Sequence, residues 1–189
     1  KLMQLLRIDS IDPQSMDFKI VVQKLAYIIQ SVGGIDLGLK FKWLSRGPYS
    51  KALANLYNIA TEMLYSGNSE EVSSSDLQAL NNLKMFLEDL AVALYSNIDP
   101  DFLELVSSVI MLCKDVYPKI EDPVTELLKR KPYLSKRTIE KCWKYLKDKG
   151  ICQAKVIISS LFCHLEVTRI ICLGFAISEI LIVLKLSLI

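Results

Sequence analysis

The stretch SSSDLQALNNLKMFLEDLAVALYSNIDPDFLELVSSVIMLCKDV, residues 73–116, reads as two successive amphipathic helices. Leu80, Leu83, Leu87, Leu90 and Leu94 recur at three- and four-residue spacings, one face of a 3.6-residue period. The polar run Ser73-Ser74-Ser75-Asp76 supplies the start signal, and the pattern predicts a helix over residues 77–95. Asp99-Pro100 opens the next helix, where a proline loses nothing in the first turn. Phe102, Leu105, Val106, Val109 and Leu112 carry its stripe towards Val116, and Tyr117-Pro118 interrupts it.

Working outward, the same grammar repeats. Upstream, Asp17 is the predicted cap of a helix over 18–32, with Val21, Leu25, Ile28, Ile29 and Val32 on one side and Gly33-Gly34 as its stop. Residues 35–47 read as a loop. Pro48 and Ser50 then open a second long helix through Leu53, Leu56, Tyr57, Ala60 and Leu64. Downstream, Asp122-Pro123 starts a short helix over 124–131, and Ser135 caps a sixth that Gly150 ends. No strand-like alternation appears before residue 150. The expected architecture is all-α: one helical domain over residues 1–150, about six helices, ending in a helix-turn-helix or winged-helix-like hairpin.

Residues 151–189 follow other rules. They hold 16 Ile or Leu and five charges, while the chain as a whole is 51% hydrophobic and 23% charged with a mean hydropathy of +0.30. Four readings fit this tail: a membrane anchor through residues 170–189 with Glu179 near its centre, a buried helix covering the body or a second copy, a pair of strands forming a wing, or a non-native extension. The aliphatic content excludes a disordered chain. Seven Gly and six Pro exclude collagen-like classes, and confinement of the apolar run to one end argues against a polytopic transporter. No basic segment followed by an apolar core stands at the start, so no signal peptide is expected.

Charge is segregated. Residues 1–51 carry net +4, residues 52–128 net −10 and residues 129–149 net +7. The five cysteines include no CxxC pair, and the only histidine is His164. The expectation is buried, reduced thiols in a cytoplasmic protein, with no metal and no cofactor. Catalytic motifs are missing: there is no P-loop, GxGxxG, HExxH or GxSxG. The acidic residues Glu88, Asp89, Asp99, Asp101, Glu104, Glu121 and Asp122 read as solvated charge at helix surfaces and caps. A non-enzymatic protein is expected.

Two segments carry functional signal. In TELLKRKPYLSKRTIEKCWKYLKDKGI, residues 125–151, the apolar stripe Ile139, Cys142, Trp143 and Leu146 faces away from Lys136, Arg137, Lys141, Lys144 and Lys147. Such a helix suits nucleic-acid phosphates, as a transcriptional regulator would use it, or is a solvated lysine face. The segment GLKFKWLSRGPYSKALANLY, residues 38–57, is the more distinctive. Phe41, Trp43, Arg46, Gly47, Pro48, Tyr49 and Ser50 read either as a structural loop lock or as a partner surface, with Lys42, Arg46 and Lys51 around a helix start.

The helix residues Lys24 to Gln30, the pattern Phe41-x-Trp43, and Gly47-Pro48-Tyr49-Ser50 followed by Leu53 together resemble the YwgA-like proteins of bacteria and archaea. More distantly they resemble the Panacea, or SocA-like, antitoxin domain. The resemblance spans about residues 17–150. It implies a small helical domain that acts by binding a protein, as an antitoxin or as an adaptor for proteolysis of a toxin, and it brings no catalytic motif; the expected partner is a protein, a toxin or a second copy of the chain.

Overall fold

The computed structural model describes residues 1–66, 72–116 and 120–152. The expectations placed on residues 153–189, membrane anchor and wing included, lie outside the described residues. Among those described, eight helices accompany a single two-stranded sheet, so the chain is mostly helical. In order they are α1 (Leu2–Leu5), α2 (Met16–Ser31), β1 (Lys42–Leu44), β2 (Gly47–Tyr49), α3 (Lys51–Ala54), α4 (Tyr57–Ser66), α5 (Ser74–Leu94), α6 (Pro100–Lys114), α7 (Pro123–Arg130) and α8 (Lys136–Asp148). No helix among the described residues is long and apolar enough to cross a membrane.

Caps set most of the boundaries. The Asp99 carboxylate accepts from the Phe102 N–H at 2.8 Å, and Asp122 accepts from Val124 and Thr125 at 3.1 Å. Ser73 caps α5 through the Asp76 N–H at 3.1 Å. The cap of α2 is Ser15 rather than Asp17: its hydroxyl accepts from the Phe18 N–H at 3.1 Å, and Asp17 falls in the first turn, where a negative charge suits the helix dipole. Ser135 stands at the start of α8 but makes no side-chain cap bond.

α6 is the axis of the fold. Every residue from Phe102 to Leu112 is buried, because α2, α7, α8 and β2 all pack against it. The leucines of α5, Leu83, Leu87 and Leu90, join Leu103, Val106, Ile110 and Leu112 of α6 and Leu127, Ile139 and Leu146 in one core. Each such side chain contributes about 1.5–3 kcal/mol by burial.

Four expectations need correction. First, residues 42–49 form an antiparallel hairpin in place of loop and helix start, with Lys42 opposite Tyr49, Trp43 opposite Pro48 and Leu44 opposite Gly47. Three-residue strands are too short to show alternation. Second, the single helix expected after Ser50 breaks at Asn55-Leu56, which lets Tyr57 turn back to α2. Third, the expected count of about six helices becomes eight among the described residues: the helix after Ser50 is split in two, and α1, which carries no cap signal, buries Leu2 beside α5. Fourth, the cysteines are not all reduced. Cys113 at the end of α6 and Cys152 just after α8 form a disulfide with a Cα–Cα distance of 5.6 Å, across 39 positions of sequence. The cysteine argument for a cytoplasmic location therefore no longer holds. Cys142 is free and fully buried, which pushes its thiol up to about 12.

Candidate functional site

The distinctive segment is held on α2 by side chains that substitute for a neighbouring strand. Gln23 donates to the Ser50 carbonyl at 3.0 Å and accepts from the Ser50 N–H at 2.8 Å. Seven residues on, Gln30 repeats this with Leu39, donating to its carbonyl at 2.9 Å and accepting from its N–H at 3.1 Å. Between them Lys24 donates to the Pro48 carbonyl at 2.8 Å. A spacing of seven puts both glutamines on one face of α2. Tyr57 adds its hydroxyl to Gln23 at 2.9 Å.

Gly47 takes φ +86°, a conformation open to glycine, and a Cβ there would collide with the Ser108 hydroxyl of α6. Gly47→Ala should therefore cost about 1–3 kcal/mol of strain and overlap, read as a lowered urea midpoint. Adding Ser108→Gly should recover only the overlap share.

Beneath the hairpin lies a charged cluster. Glu104 of α6, only 2% exposed, accepts from Lys131 and Tyr133 and from Arg46 at 3.2 Å. Burial alone would push the Glu104 carboxyl up. Hydrogen bonds from Lys131 and Tyr133, with the charges of Lys131 and Arg46, outweigh it and hold the group below the usual range. Lys131 is fully buried and its pKa is lowered by that burial, against the pull of Glu104. Burial, then the charge of Lys131, lowers Lys24 to about 8. Burial and the hydrogen bond to Glu104 raise the Tyr133 hydroxyl to about 12. Glu104 is thus no solvated surface charge; among the described residues it is the carboxylate bonded to Lys131 and Arg46, and its charge also acts on Lys24.

The seven hairpin residues expected to meet a partner divide in two. Gly47, Pro48 and Ser50 are buried against α2 and α6, so a partner cannot touch the Pro48 and Ser50 side chains while the hairpin is seated. Phe41 packs edge-on to Tyr27 at 5.2 Å, and Trp43 lies under the Arg130 guanidinium at 4.7 Å, both half-buried. Arg46 is exposed and Tyr49 half-exposed. Lys51 starts α3, a helix of four residues, too short to serve as an anion site.

An outward cleft of about 140 Å³ opens where Arg46, Gly47 and Tyr49 meet Lys19, Lys24 and Tyr57. Met16 and Leu44 flank it, 65% and 48% exposed. Sequence reading missed Met16, Lys19, Lys24, Leu44 and Tyr57, since only the docking of hairpin and α4 onto α2 brings them together. A larger groove, about 480 Å³, runs between α5 and α8 past Leu83, Phe86 and Tyr145. It lacks a comparable convergence of cations.

On α8, Lys136, Arg137, Lys144 and Lys147 are exposed as expected. Lys141 is not free: it is half-buried with its ammonium 4.7 Å from the Tyr95 ring. Lys136 pairs with Glu140 at 3.8 Å, so an acid interrupts the cationic face. Compared with known proteins, the chain matches no family model, no curated protein and no solved structure.

Proposed function

We propose that the chain is a non-enzymatic protein-binding module whose contact surface is the outer side of the hairpin with the adjoining start of α2. The observation that carries this reading is the pairing of apolar and cationic groups around one cleft: the exposed Met16 and Leu44 beside the half-buried Lys19 and the exposed Arg46. An exposed hydrophobic residue is ordinary by itself, but apolar residues rimmed by charge on a rigidly held loop resemble the anchors of protein interfaces. The resemblance to YwgA-like and Panacea proteins agrees with this and makes an antitoxin or adaptor role the natural form of it.

The test is affinity capture from the native host, with crosslinking to locate the contact. Leu44→Asp should lose the captured protein by at least about tenfold while leaving the melting curve unchanged, because Leu44 is a surface position. Lys144→Glu on α8 should leave capture intact. Equal capture by the wild type and Leu44→Asp would refute the reading. A second reading, nucleic-acid binding through α8, is favoured by the exposed Arg137, Lys144 and Lys147. Binding there would be to phosphates and would weaken steeply with salt.

A further inference from the structure

Three cations and no carboxylate line the cleft between α2 and the hairpin: Lys19, Lys24 and Arg46. Below it, Glu104 is the only carboxylate among the described residues bonded to the cluster, and it is already committed to Lys131, Tyr133 and Arg46. Lys24 is 3% exposed, and among the described residues its ammonium has one hydrogen-bond acceptor, the Pro48 carbonyl. An ammonium carries three donors, and buried charge is retained where it is paired. The site therefore holds more positive charge than its own side chains balance.

Size and surroundings narrow the occupant. A volume of about 140 Å³ is small beside the roughly 300–1,000 Å³ of small-molecule pockets and suits a single side chain. The exposed Met16 and Leu44 give an apolar shoulder next to the charge. Tyr49 and Tyr57 also line the cleft.

We infer that this cleft receives the carboxylate side chain of a peptide segment, an Asp or Glu standing next to an apolar residue of the partner. The inference rests on the protein-binding reading and adds to it the chemistry of the partner. The carboxylate meets Arg46 and Lys19 at the mouth of the cleft, the buried Lys24 adds positive charge from beneath, and the apolar neighbour covers Leu44 and Met16.

A random seven-residue peptide library displayed on phage, selected against the full chain, tests this. The expected result is a consensus with Asp or Glu at one fixed position beside an apolar residue. Exchanging that acid for its amide in a synthetic peptide should weaken binding about tenfold or more, the size of a charge-assisted hydrogen bond. Lys19→Glu should weaken it comparably, and Arg46→Gln should do the same, with circular dichroism confirming that each variant is folded. Binders lacking an acidic consensus, or unaffected by the amide exchange, overturn the inference. Binders lost in Leu44→Asp but indifferent to the amide exchange keep the hairpin surface and sink the carboxylate. A library that yields no hairpin-dependent binder also overturns it, as does duplex DNA that displaces the peptide from the cleft.

Discussion

Glu104→Gln should lower the stability of the fold by about 3–5 kcal/mol. The amide fills the same space and still accepts hydrogen bonds. What it removes is a buried negative charge bonded to two cations, Lys131 and Arg46, with a third, the buried Lys24, close enough to feel it. An uncompensated buried charge is costly because the interior cannot replace the water it gave up. Urea unfolding at neutral pH measures the loss. The double variant Glu104→Leu/Lys131→Met should recover most of it, since replacing a buried pair by apolar groups of similar volume is often close to neutral. A loss below about 1 kcal/mol in the single variant would show that Glu104 reaches water and that the cluster is not closed.

Reduction of Cys113–Cys152 should be the second large effect. The bridge closes a loop of 39 positions, and confining the unfolded chain over that length is worth about 4 kcal/mol in the chain-entropy account. It joins the end of α6 to the residue that follows α8, so all of α7 and α8 lie inside the loop. Unfolding curves with and without reductant should differ by that amount, and Cys113→Ser should behave like the reduced protein. Peptide mapping without reduction should recover one linked pair containing Cys113 and Cys152. Alkylation of both thiols in protein unfolded without reductant would disprove the bridge.

Both effects arise where sequence reading was blind, and for one reason. Periodic leucines announce α5 because each neighbour lies within four residues, and the same holds for Asp99 and Asp122 as caps. Glu104 looks like any carboxylate on a helix; its partners stand at 46, 131 and 133, distances no local pattern spans. Cys113 and Cys152 are likewise joined only by the packing of α6 against α8. The Gly-Pro-Tyr-Ser block was legible as a special element. Which of its residues turn inward was not legible, because that depends on α2 offering glutamines where a strand would offer backbone. The cleft shares this origin: Lys19 and Lys24 read as ordinary positions of an amphipathic helix until the hairpin lies across them.

Gln23 and Gln30 stand about 10 Å apart along α2, and they grip residues 50 and 39, the two ends of the hairpin segment. Both ends are therefore fixed to one rigid rod rather than only to each other. A free loop of this length loses conformational entropy when it is captured, and that loss is subtracted from affinity. Here the ordering has already taken place during folding. A partner of the kind proposed would meet a template instead of a tether, and the ordering cost of the hairpin would not be subtracted from its affinity. On the proposed reading, a change at Gln23, buried and out of a partner's reach, should weaken recognition by loosening the hairpin.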